Sequence, residues 1–139
     1  MSIQDLNSAV SRARALGHPA RLRTVAMLRS GELCVCQINA VLELAPSTVS
    51  AHLKELKQAG LTIERKDGRW VVVGLSEDPT ILGWLEASLS SLNDDPQLAS
   101  DARLIEDLRK LPVEDLCRLG YEAAKAKTCT SDEKQRSTQ

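Results

Sequence analysis

Apolar residues recur with helical spacing through most of this chain. Leu6, Val10, Ala13 and Leu16 stand four, three and three apart, which predicts an amphipathic helix ended by Gly17-His18-Pro19. A second helix starts at Pro19, whose fixed φ suits a first turn, and runs through Leu22, Val25, Ala26 and Leu28 to Ser30-Gly31. Cys34 to Leu42 reads as a short third helix with Val35, Ile38, Val41 and Leu42 inward. After a turn at Glu43-Leu44-Ala45, Pro46 opens a fourth, to about Gln58, whose Val49, Leu53 and Leu56 face the core. Its other side presents Ser47, Thr48, Ala51, His52 and Glu55, with Ser50 and Lys54 on the flanks.

The period then changes. Leu61–Lys66 and Arg69–Leu75 are rich in strand formers and flank Asp67-Gly68, a strong hairpin signal. Beyond Pro79 the spacing is helical again: Leu82, Leu85, Leu89 and Leu92 form a narrow seam suited to a helix–helix interface. Asn93-Asp94-Asp95-Pro96 breaks it, and two further helices are expected at about 97–111 and 113–126. The polar stretch from Thr128 to Gln139 is expected to be disordered. The predicted architecture is mostly α with a small β-hairpin wing, a winged helix-turn-helix. Residues 1–92 form its main domain, 93–127 a helical C-terminal extension and 128–139 a tail.

Such a unit has a physical use. A short helix fits the major groove of DNA and reads base edges, while a cationic hairpin grips phosphates beside it. Ser47, Thr48, Ser50 and His52 are the candidates to face bases or phosphates, and Lys54, Arg65, Lys66 and Arg69 to position the duplex. The net charge of −1 conceals an asymmetry: residues 1–74 hold ten Lys/Arg against six Asp/Glu, and residues 75–139 hold eight against thirteen. The reading half is thus the basic one. Trp70, Trp84 and Tyr121 are the only aromatic residues, too few for the stacking platforms of RNA or single-strand binders.

Cys34 and Cys36 lie just ahead of this recognition segment. On a regular helix residues two apart diverge by about 200°, so both thiols can meet one ion only at a distorted or not-yet-helical start. Thiolates select soft ions. With no histidine close in sequence and only two thiols, the pair suits a trivalent metalloid such as arsenite, or a two-thiol organoarsenical, better than a four-ligand structural zinc. The alternative is a pair of small buried apolar residues.

Taken together, Leu16-Gly17-His18-Pro19-Ala20-Arg21-Leu22-Arg23, Glu32-Leu33-Cys34-Val35-Cys36, Pro46 to Leu61 and Gly68-Arg69-Trp70-Val71 resemble the ArsR/SmtB family of metal-sensing repressors, its arsenic-responsive branch above all. The similarity covers roughly residues 5–92. It implies a homodimeric repressor that sits on double-stranded operator DNA when empty and leaves it when As(III) or Sb(III) binds, with no organic cofactor. It implies further that the first and fifth helices make the dimer, through Leu6, Val10, Leu82, Leu85 and Leu89. Cys34 and Cys36 match the two leading thiols of the family's Glu-Leu-Cys-Val-Cys-Asp-Leu-Cys box, but Gln37 and Ile38 replace its Asp and Leu, and Asn39 stands where its third Cys would be. A third thiolate would come from Cys117, from Cys129 or from a small added thiol, or be missing. Ala45 stands where the family often has a helix-capping Ser, which should cost about 1 kcal/mol unless Pro46 compensates.

No run reaches the roughly 18 apolar residues of a membrane span, and Met1-Ser2-Ile3-Gln4-Asp5 lacks a signal-peptide plan, so a cytoplasmic protein is expected. In such a reducing compartment its four cysteines are expected as ligands or buried thiols, not disulfides. No nucleophile, phosphate-loop or zinc-protease motif is present, which argues against an enzyme. Two other readings stay open: a redox switch forming a Cys34–Cys36 disulfide, and a sensor of Cd, Pb or Zn.

Overall fold

The computed structural model describes the backbone of residues 5–136 and the side chains of residues 5–129. Four helices come first, α1 (Leu6–Leu16), α2 (Pro19–Leu28), α3 (Val35–Leu42) and α4 (Pro46–Gln58), with a two-residue strand β1 (Leu33–Cys34) ahead of α3. Strands β2 (Thr62–Asp67) and β3 (Trp70–Leu75) form the wing, and β3 lies between β1 and β2 in one antiparallel sheet. α5 (Pro79–Leu89) ends in a 3₁₀ turn, and α6 (Pro96–Arg109), α7 (Val113–Leu119) and α8 (Tyr121–Arg136) form the extension.

Local chemistry explains the helix starts. Asp5, Asp78 and Asp95 each accept a hydrogen bond from a first-turn N–H of α1, α5 and α6, and Pro occupies an early position of α2, α4, α5 and α6. α4 starts at Ala45, which gives no side-chain cap; Pro46 removes one orphan donor, and the Ala45 carbonyl accepts from the N–H groups of Thr48 and Val49. The turn into α4 is closed by Glu43 in the left-handed region, at φ 54°.

The core is aliphatic, built on Val25, Leu33, Ile38, Val49, Leu56, Leu61, Val73, Leu85, Leu89 and Leu108. α6 lies across α2 and α3, so part of the extension belongs to this core, with Ile105 and Leu108 buried. An ion pair fixes it there. Arg23 Nε and Nη2 each donate to the Asp101 carboxylate at 2.9 Å, and Gln97 Nε2 donates to the same group at 2.9 Å. Asp101 is only 4% exposed, so losing these donors would leave a buried carboxylate without partners.

Several expectations need correction. Cys34 is not helical: it pairs with Val72 in β1, and α3 starts at Val35. The hairpin's two-residue loop is Gly68-Arg69, with Asp67 paired to Trp70, and Gly68 takes the positive φ of 61° that a first loop position requires. The helix expected at 113–126 is two, because Gly120 adopts φ 83° and ψ 171° between α7 and α8. The stretch expected to be disordered from Thr128 continues α8 through Arg136, and residues 137–139 of that expectation lie outside the described residues. On α5, Leu85 and Leu89, expected at a dimer interface, point into this chain's own core at 2% and 0% exposure. On α1, Leu6 and Val10 are exposed at 78% and 41%, while Arg12 and Ala15 turn inward and Leu16 packs against the core.

Replacing Asp101 with Ala removes the carboxylate that Arg23 and Gln97 meet. The variant should lose about 2–3 kcal/mol, read as a lower urea midpoint with an unchanged slope.

Candidate thiol site and nucleic-acid interface

The break between β1 and α3 solves the angular problem of Cys-x-Cys. Cys34 is extended (φ −69°, ψ 147°) and caps α3, whereas Cys36 lies in the first turn, so the two side chains leave a bend in the backbone. Gln37, buried, locks that bend by accepting from the Cys34 N–H at 2.8 Å. α7 then brings in Cys117. The sulfurs of Cys34, Cys36 and Cys117 all lie within 4.8 Å of one another, with Cys34 Sγ 3.8 Å from Cys117 Sγ. Among the described residues this is the one cluster of three His, Cys, Asp or Glu with metal-ligand proximity, and every donor in it is sulfur.

Cys36 and Cys117 are joined as a disulfide, with their Cα atoms 5.2 Å apart. The expectation of free thiols throughout is therefore corrected: α7 packs so closely on α3 that the two residues fall within bridging range. The redox alternative named a Cys34–Cys36 bond; the one present joins Cys36 to Cys117. Cys34 remains a buried free thiol, and Cys129 on α8 is a free, exposed one outside the cluster.

The DNA-reading candidates on α4 and the wing are exposed, His52 apart. Ser47, Thr48, Ser50 and Lys54 are exposed along α4, and Arg65, Lys66 and Arg69 are exposed on the wing. Cys34, Cys36, Ser50, Leu53, Lys54, Arg69 and Trp70 line a single groove, so the thiols share a wall with three of the DNA-contact candidates, Ser50, Lys54 and Arg69. His52 is placed differently. It is half-buried, its ring 4.3 Å from that of His18, and Arg21 Nη1 is 3.4 Å from its Nδ1. Arg21 also donates to the carbonyls of Ala15 and Arg14, joining the end of α1 to α4. Burial first, then the charges of His18 and Arg21, hold the His52 imidazole below its ordinary pKa.

The wing arginines have carboxylate partners. Arg65 makes a two-point contact with Glu32, Nε to Oε2 at 2.8 Å and Nη2 to Oε1 at 3.3 Å, and this holds the Glu32 carboxyl below its usual range. Arg69 Nη2 donates to Glu114 Oε1 at 3.4 Å, and its guanidinium lies 5.2 Å over the Trp70 ring. Sequence reasoning gave no role to Glu32, Gln37, Arg21 or Glu114. Glu32 and Gln37 adjoin the thiol motif and were within reach of it. Glu114 carries no sequence signal, since only the fold brings α7 beside the wing.

A family model described as bacterial regulatory protein, arsR family, matches residues 18–63. The chain is 34% identical over 102 residues to the arsenic resistance transcriptional regulator ArsR1 of Pseudomonas putida, covering 71% of this chain and 78% of that one. A cadmium resistance regulatory protein CadC homolog of Staphylococcus aureus is 35% identical over 66 residues, 47% of this chain and 54% of that one. Among solved structures, HlyU from Vibrio cholerae superimposes with a TM-score of 0.57 at 30% identity, covering 65% of this chain and 96% of that one.

Two outcomes follow from this geometry. Without reductant, alkylation of the native protein should label Cys129 first and Cys34 slowly, and peptide mass spectrometry should recover a Cys36–Cys117 cross-linked pair. A fold that favours neutral His52 keeps that contribution above the ordinary value of 6.5 and loses it as pH falls through the lowered folded value. His52→Gln should therefore lose less stability than the wild type between about pH 7.5 and about pH 5.5, measured by urea unfolding.

Proposed function

The chain belongs to the ArsR family of bacterial transcriptional regulators, and from there we propose that it is a repressor released from operator DNA by As(III) or Sb(III) held on Cys34, Cys36 and Cys117. One observation carries this reading: three sulfurs from β1, α3 and α7 converge within 4.8 Å, with no oxygen or nitrogen ligand among them, directly ahead of the recognition helix. Soft, thiophilic ions suit such a donor set. Arsenite exchanges three hydroxyls for three sulfurs and releases three waters, so the bonded form must first be reduced. Cys117 is the third ligand on this reading; Cys129 is not.

The reading elements support a DNA partner. Ser47, Thr48 and Ser50 stand on the exposed face of α4, and Lys54, Arg65, Lys66 and Arg69 surround it. His52 braces α4 against the start of α2. The exposed Leu6 and Val10, with the partly covered Leu82, give a second copy an apolar surface to bury, and a two-fold dimer would present two recognition helices to one duplex. Residues 1–92 form the DNA-binding and dimerising unit, and residues 93–127 act as a sensor arm. Among the described residues no helix is long and apolar enough to cross a membrane; a cytoplasmic location is part of the same proposal.

The Cys36–Cys117 disulfide favours a second reading, a thiol switch on the same residues. There the two thiols give up two protons and two electrons to an oxidant such as peroxide, which leaves as water.

Anisotropy of labelled promoter DNA decides between them. Cys34→Ser and Cys117→Ser should keep DNA binding and lose most of an arsenite response of about 5–150-fold, whereas Cys129→Ser should keep it. A response unchanged in Cys117→Ser would remove that residue from the site. Release by peroxide, with none by As(III), Sb(III), Cd(II) or Zn(II) under reductant, would favour the redox switch.

A further inference from the structure

Both arginines of the wing are held by carboxylates that belong to thiol-bearing segments. Glu32, which grips Arg65, lies two residues before Cys34; Glu114, which meets Arg69 at 3.4 Å, lies three residues before Cys117. The spacing on α7 puts Glu114 and Cys117 one turn apart on the same side of the helix. In this structure Cys117 is bonded to Cys36, so Arg69 is paired in a state where α7 is fixed against α3. Glu32 differs, because β1 is tied to β3 by strand pairing whatever the thiols do.

We propose that closing the thiol site delivers Glu114 to Arg69 as an internal rival of the DNA phosphates, so that the ligand weakens DNA binding by neutralising the wing. The inference rests on the thiols being the sensing site, and it assigns Glu114 a role in regulation. Arg69 is 77% exposed and sits in the hairpin loop, where its guanidinium can meet either a phosphate or a carboxylate. A carboxylate at contact distance removes that cation from the counterion exchange that drives phosphate binding, and it repels the backbone as well. When α7 leaves α3, Glu114 leaves with it and Arg69 is released. Glu32 sets a constant reduction in wing charge that both states share.

The test compares wild type, Glu114→Gln and Glu32→Gln on duplex DNA from the protein's own promoter. Each is measured reduced, reduced with arsenite, and in the Cys36–Cys117 disulfide form, across a range of salt. Glu114→Gln should bind like wild type when reduced. When closed, it should bind about threefold more tightly than closed wild type for each wing engaged, the free energy of a good exposed ion pair. Its log affinity against log salt should steepen by about 0.9 per wing. Glu32→Gln should tighten open and closed forms equally. Closed Glu114→Gln with the affinity and salt slope of closed wild type would overturn the proposal, as would equal tightening of its open and closed forms. If arsenite fails to protect the thiols from alkylation, the metalloid reading falls, and the disulfide form still decides the role of Glu114.

Discussion

The docking of α6 and α7 across α2 and α3 is the constraint on which the rest depends. Asp101, almost wholly buried, takes three hydrogen bonds from Arg23 and Gln97, and Ile105 and Leu108 of α6 and Leu116 of α7 are buried in the core. An acid so deep is stable only when its donors are in place, so α6 has one seat on α2. The short link through Leu111 and Pro112 then keeps α7 within reach of α3, and in this structure Cys117 lies beside Cys34 and Cys36. The extension is therefore part of the chemistry of the thiol cluster.

The same docking relates local conformation to the proposed response. Cys34 belongs at once to a strand pair with β3 and to the cap of α3, where Gln37 holds its backbone. Any ion that draws the three sulfurs inward pulls on β1, α3 and α7 together. β1 leads by pairing to the wing, and α3 leads through the left-handed Glu43 to α4. Two routes thus run from the sulfurs toward the surfaces proposed to meet DNA, one through the sheet and one through the helical turn.

Helical period, Pro starts and Gly stops were enough to place α1, α2, α4 and the hairpin, because these elements are fixed by local spacing. The resemblance to the family rested on those same residues and on Cys34-Val35-Cys36. What stayed illegible has a common cause. Cys34 reads as helical by its neighbours, yet the pairing with Val72 draws it into a strand, and that partner lies far along the chain. Leu85 and Leu89 look like an interface seam, but the same spacing serves a helix buried in its own core. The pairing of Cys36 with Cys117 spans 81 residues and depends on the seat of α6, which no local pattern encodes.

Every sulfur in the cluster comes from a single polypeptide, and this has a consequence for stoichiometry. A sensor assembled across a subunit boundary exists only above the concentration at which subunits associate. On the proposed reading, capture of an ion needs no second copy, and a copy off the DNA holds the ion more tightly than one on its operator, by the same factor through which the ion weakens DNA binding.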